Sequence, residues 1–119
     1  SVGELAATMG RVIPTAAAYN VSLDQLSASY AIITASGTNT AIATTNLGAM
    51  FNELASEGGT VATILEEQTG KSFAELMADG ASLGDVISIL SDSVDGNSTA
   101  FSNLWSSTTA GQAALTLLN

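Results

Sequence analysis

The sequence predicts an all-α fold, with about seven or eight short helices arranged as αα-hairpins and joined by tight glycine turns. All of residues 1–119 read as a single helical domain. Three observations carry this reading. A five-residue phrase (Ser, apolar, any residue, Glu, Gln or Asp, apolar) occurs at Ser1–Leu5, Ser22–Leu26, Ser72–Leu76 and Ser82–Val86. Asn20, Gly37, the Gly58-Gly59 pair, Gly70, Gly80 and Gly96 each follow a run of helically spaced apolar residues. Between these marks the apolar residues recur every three or four positions, the helical period.

The recurring phrase is a capping box. A serine oxygen accepts a free N–H of the first helical turn, and the side chain three residues on reaches back to the serine N–H. Each cap contributes on the order of 1 kcal/mol, and an acid at that place also meets the positive end of the helix dipole. The pairs are Ser1 with Glu4, Ser22 with Gln25, Ser72 with Glu75 and Ser82 with Asp85. The last is the weaker, because Asp is shorter than Glu. The glycines, and Asn20, supply the left-handed residue that ends a helix. The four copies have unequal spacings, so they are reused punctuation and not a solenoid repeat.

In chain order, Val2, Leu5, Met9, Val12 and Ala16 form the first stripe, which Pro14 either kinks or divides. Leu23, Leu26, Tyr30 and Ile33 form the second. Leu47, Met50, Phe51, Leu54 and Ala55 come next, then Val61, Ile64 and Leu65. Phe73, Leu76 and Met77 make a short element, followed by Leu83, Val86, Ile87, Leu90 and Val94. Phe101, Leu104 and Trp105 make another, and Ala113, Ala114, Leu117 and Leu118 close the chain. Tyr30–Thr34 has strand propensity, but its apolar run does not alternate with period two, so it reads as helix.

Composition narrows the function. Hydrophobic residues are 46% of the chain and charged residues 11%, against roughly 25% in an ordinary soluble domain. Two readings of that deficit stand: a surface that lies against other protein, or a plain Ser/Thr-rich exterior. The net charge of −9 leaves only Arg11 and Lys71 as cations, too few to displace counterions from phosphates. Nucleic acid and anionic membrane surfaces are therefore disfavoured as partners. With Cys 0 and His 0, disulfides, thiolate or imidazole metal sites and Cys/His catalysis are excluded. No stretch approaches the roughly 18 apolar residues of a membrane span, and no signal peptide is visible. Both ends read as cut from a longer protein.

Apparent motifs fail on their spacing. Thr69-Gly70-Lys71-Ser72 resembles the end of a phosphate-binding loop, but the required earlier glycine position holds Leu65 and no strand precedes it. Ser91–Gly96 resembles a calcium loop, yet its twelfth position is Ser102 where a bidentate Glu is needed. Glu66-Glu67, and Glu53 with Glu57 at i,i+4, have no His, Lys or Tyr constellation beside them and read as solvated acids. The sequons at Asn20 and Asn97 fall on turn residues. Trp105, the only tryptophan, is core packing in the commoner case and an interface anchor in the sharper one.

In order, the punctuation resembles a family, the phage tail tape measure proteins of the lactococcal-phage type, also called minor tail proteins. The resemblance runs through Val2–Ala6, Gly10–Ala17, Val21–Leu26, Thr34–Gly37, the helix from Ala41 to Leu54, and Phe101–Leu115. It covers most of the chain, and its specificity lies in the order of the segments. Where the family commonly has Gly, this chain has Asn20, a swap that the left-handed conformation tolerates. The chain resembles one globular portion of a far longer protein.

The resemblance implies structural work: setting tail length while tube subunits polymerise around the protein under assembly chaperones, then release when DNA enters the host. Its implied partners are tail tube and tail assembly chaperone proteins, with self-association as a further possibility, and its implied place is the virion tail, assembled in the bacterial host cytoplasm. It offers no catalytic residue, cofactor, metal or small-molecule substrate to carry over, and so implies no enzyme. Trp105, Leu115 and Leu118 are the interface candidates: the helix from Gly111 to Leu118 either docks intramolecularly through Leu115 and Leu118 or dimerises over an apolar patch. Two other classes stay open, a secreted or surface helical protein-binding module and an enzyme fragment whose catalytic groups lie elsewhere. An upstream signal peptide would favour the first, and catalytic motifs in the flanks the second.

Overall fold

Residues 9–119 are described by a computed structural model of the chain. Among the described residues eight helices follow one another: α1 (Ile13–Ala18), α2 (Leu23–Ala35), α3 (Thr40–Ala55), α4 (Thr60–Thr69), α5 (Phe73–Ala78), α6 (Leu83–Asp92), α7 (Ser98–Asn103) and α8 (Thr108–Leu118). The described residues contain no strand, and Tyr30–Thr34 lies inside α2. The Ser1–Leu5 phrase lies outside the described residues.

The helix starts follow from side-chain chemistry. Ser72 and Ser82 form complete capping boxes with Glu75 and Asp85. The shorter Asp85 closes its box as tightly as Glu75 does, accepting from the Ser82 N–H at 2.9 Å against 3.0 Å for Glu75 and Ser72. Ser22 Oγ accepts from the Gln25 N–H at 3.2 Å, but this box is half made: the Gln25 side chain turns to another helix. Asn39, Asn97 and Ser107 cap α3, α7 and α8 in the same way, accepting from Ile42, Ala100 and Ala110. None of these three is followed by an acid or amide at the third position, so the capping-box pattern passes over them. A turn precedes α1, and Pro14 sits in the first turn of that helix, where its missing N–H has no helical partner to lose.

The stops also follow backbone sterics. Gly70 ends α4 with φ +75°, and Asn20 adopts φ +65° after α1. Asn20 does more than turn the chain, because its Nδ2 donates to the Ala74 carbonyl of α5 at 3.0 Å. A left-handed residue also appears where none was expected, at Asp95 (φ +54°) beside Gly96 after α6.

The core is built on α3. Ala43, Leu47, Met50, Phe51 and Leu54 lie along one face and are fully buried. The most extensive packing is between α3 and the distant α8, whose Ala110, Ala113 and Ala114 are buried against it. Small side chains let two backbones approach closely, so an Ala-rich helix suits this place. α8 also touches α2, α6 and α7. Consecutive helices pack as well, among them α2 with α3 and α3 with α4, but the closure between α3 and α8 joins residues far apart in sequence. An aromatic row, Tyr19 to Phe73 at 6.3 Å and Phe73 to Phe51 at 6.4 Å, ties α5 to α3.

Among the described residues, which exclude Val2 and Leu5 of the first stripe, the apolar stripes match the core with one exception. Leu23, expected in the second stripe, is 60% exposed while Leu26, Tyr30 and Ile33 are buried. It is the first residue of α2, and helical side chains lean toward the N-terminus, so Leu23 overhangs the end of its helix.

Candidate functional site

Trp105 lies in the link between α7 and α8 with 6% of its surface exposed. Its ring meets Phe101 edge-on at a centroid distance of 6.1 Å. Gly111 of α8 faces it; a Cβ there would stand 3.5 Å from the Trp105 Cβ and 3.7 Å from its Cδ1. The indole Nε1–H is buried and has no hydrogen-bond partner among the described residues. Trp105 and Leu115 line one open depression of about 280 Å³, together with Asn103, Ser107, Gly111 and Gln112. Leu118 is half-buried and packs against the core. Two of the three interface candidates thus share a surface feature, and the third stands apart from it.

The α7–α8 link is held from across the core. Glu53, near the end of α3, accepts from the Ser106 N–H at 2.7 Å, the Ser107 N–H at 3.2 Å and the Ser107 hydroxyl at 3.0 Å. Its reading as a solvated acid is therefore corrected: its carboxylate satisfies free donors ahead of α8. The pairing with Glu57 is corrected too, because α3 ends at Ala55 and Glu57 lies past it in a turn. Ser107 passes the effect on, since its Oγ also accepts from Ala110 in the first turn of α8.

Gln25 makes a second long-range tie. Its Oε1 accepts from the Leu83 N–H, a free donor at the start of α6, at 2.6 Å. One amide side chain thereby joins the starts of two helices. A third polar contact is buried: Tyr30 and Thr44 hydroxyls meet at 2.6 Å. Thr44 gives its proton to the Thr40 carbonyl, so the Tyr30 O–H is the donor. Burial raises the Tyr30 phenol above its ordinary 10.0, with the Arg11 charge acting the other way.

The residues of the apparent phosphate loop all serve the fold. Thr69 Oγ1 donates to the Leu65 carbonyl, Gly70 ends α4, Lys71 pairs with Asp79, and Ser72 caps α5. The hydrogen bond from Lys71 to Asp79 raises the Lys71 ammonium above its ordinary value. Among the described residues no three His, Cys, Asp or Glu side chains group together as a metal site, and no helix is long and apolar enough to cross a membrane.

Comparison with known proteins is decisive where side-chain chemistry is silent. Residues 1–115 match the family model described as phage-related minor tail protein. The chain belongs to the phage-related minor tail protein family. A relative in Clostridium phage phiCD119 (strain Clostridium difficile/United States/Govind/2006), named "Probable tape measure protein", is 40% identical over 123 residues, covering 98% of this chain. The chain spans only 13% of that relative's length. No solved structure matches this member of the minor tail protein family. The ordered segments from Val2 to Leu115 that carried the resemblance fall inside the matched range.

Proposed function

We propose that this domain is a structural and assembly unit of a phage or prophage tail tape measure protein, acting in tail assembly and in setting tail length. The observation that carries the reading is the 40% identity to the phiCD119 protein across nearly the whole chain, within the minor tail protein family. Charged residues at 11% and a net charge of −9 support a surface whose work is contact with protein rather than with nucleic acid. The proposed partners are tail tube subunits and tail assembly chaperones, and the proposed place is the virion tail, after assembly in the bacterial cytoplasm. The domain works as a scaffold piece: its polar side chains cap helices and tie them to one another, and none is assigned a chemical step.

The test is co-purification. The full-length parent, tagged and expressed from its own phage or prophage, should be recovered with the tube and chaperone proteins encoded beside it, and should be detected in purified tails. Recovery of the parent outside the virion, with none of those proteins, would overturn the reading.

A further inference from the structure

One surface depression is lined almost wholly by apolar atoms. It lies between α2, the start of α6 and the end of α8, with a volume of about 210 Å³, and is lined by Gln25, Ala28, Ile32, Leu83, Gly84 and Leu117. Ile32 is 47% exposed there, on the side of α2 opposite the core stripe, and Ala28 one turn earlier is also exposed. Gly84 is exposed on α6, and a Cβ on it would meet only the Ser82 hydroxyl, so a second backbone can approach closely. The Gln25–Leu83 hydrogen bond fixes the two walls relative to each other. Asp24 and Asp85, both exposed, directly neighbour the lining residues Gln25 and Gly84 in sequence, and neither cation of the chain is among the lining residues.

We propose that this groove receives an amphipathic helix of another polypeptide, with an apolar stripe seated on Ile32, Ala28 and Leu117 and with Lys or Arg flanking the stripe. Charge decides the occupant. An apolar floor with acidic neighbours favours a cationic partner by complementarity, which speeds encounter and fixes orientation. A second copy of this chain is a poor fit, because each copy carries −9 with only Arg11 and Lys71 to offer, and Lys71 is already paired with Asp79. The inference stands on the groove and holds whether or not the parent sets tail length.

The test uses the 119-residue chain and a synthetic amphipathic Leu/Lys peptide, followed by fluorescence anisotropy and by amide chemical shifts. Saturable binding that weakens with salt, with shifts centred on Ala28, Ile32, Gly84 and Leu117, is expected. Ile32→Gln should weaken it about tenfold, while Leu23→Gln, on the opposite side of the same helix, should leave it unchanged. A peptide of the same composition permuted to lose its apolar stripe, and one with Glu in place of Lys, should not bind. Equal binding of the permuted peptide, equal effects of the Leu23 and Ile32 variants, or a stable dimer sealed over Ile32 would each overturn the proposal.

Discussion

Replacing Glu53 with Ala sets the structure against the sequence pattern most sharply. Near the end of α3 a carboxylate faces the negative end of the helix dipole, so local rules alone predict that Glu53→Ala stabilises by about 0.5 kcal/mol. The structure predicts the reverse. The carboxylate accepts three hydrogen bonds from Ser106 and Ser107, and its removal strands two backbone N–H groups and a hydroxyl. Hydrogen bonds to a charged acceptor contribute about 1.5–3 kcal/mol when shielded from water, and less here because Ser106 is exposed and can rehydrate. A gross loss of about 2.5 kcal/mol less the dipole gain of about 0.5 leaves a net cost of about 2 kcal/mol. For a chain of this size that lowers the melting temperature by about 8 °C. Thermal and urea melts followed by circular dichroism provide the assay, with Glu57→Ala as the neutral control and Glu53→Gln in between. Equal stability of the Glu53→Ala and Glu57→Ala variants would refute the clamp.

The other perturbations separate buried contacts from exposed ones. Thr44→Val leaves the buried Tyr30 O–H without an acceptor and should cost about 2 kcal/mol, more than the roughly 1 kcal/mol for Tyr30→Phe, in urea melts. Gln25→Leu removes the acceptor for Leu83 and should cost about 1 kcal/mol, with faster amide exchange at Leu83. Glu75 and Asp85 are held below their ordinary 4.5 and 3.8 by hydrogen bonds from the Ser72 and Ser82 backbones and hydroxyls. A carboxylate with a depressed folded value adds stability above its ordinary value and loses it as pH falls through the folded one. NMR titration should therefore give midpoints below 4.5 for Glu75 and below 3.8 for Asp85, and Ser72→Ala should return Glu75 toward 4.5. Gly111→Ala should be tolerated, because its Cβ would meet Trp105 at ordinary contact distance, whereas Gly111→Leu should force α8 off Trp105 and lower the melting temperature.

What was legible in the sequence was local. Ser72–Glu75 and Ser82–Asp85 are boxes because both partners lie within one helical turn, so spacing alone defines them. The left-handed stop at Asn20 and the buried face of α3 follow from equally short-range rules. Gln25 obeys the same spacing as Glu75, yet its amide serves Leu83, and that preference depends on α6 arriving 58 residues later. Glu53 was misread for the same reason: its partners lie 53 and 54 residues away, and nothing beside it in the chain announces them. The Asn39, Asn97 and Ser107 caps were recoverable from their own residue types, since Asn and Ser are strong caps even without an acid at the third position. Of the interface candidates, the closeness of Trp105 and Leu115 depends on α8 packing beside α7, a contact that helical spacing places nowhere.

Tail length in a phage or prophage carrying this domain tests the central proposal most directly. In-frame deletions of graded size outside residues 1–119 of the full-length protein should give tails that shorten in proportion under electron microscopy. Complete loss of the parent should abolish tails of defined length, whereas tails of normal length formed without it would contradict the assembly role.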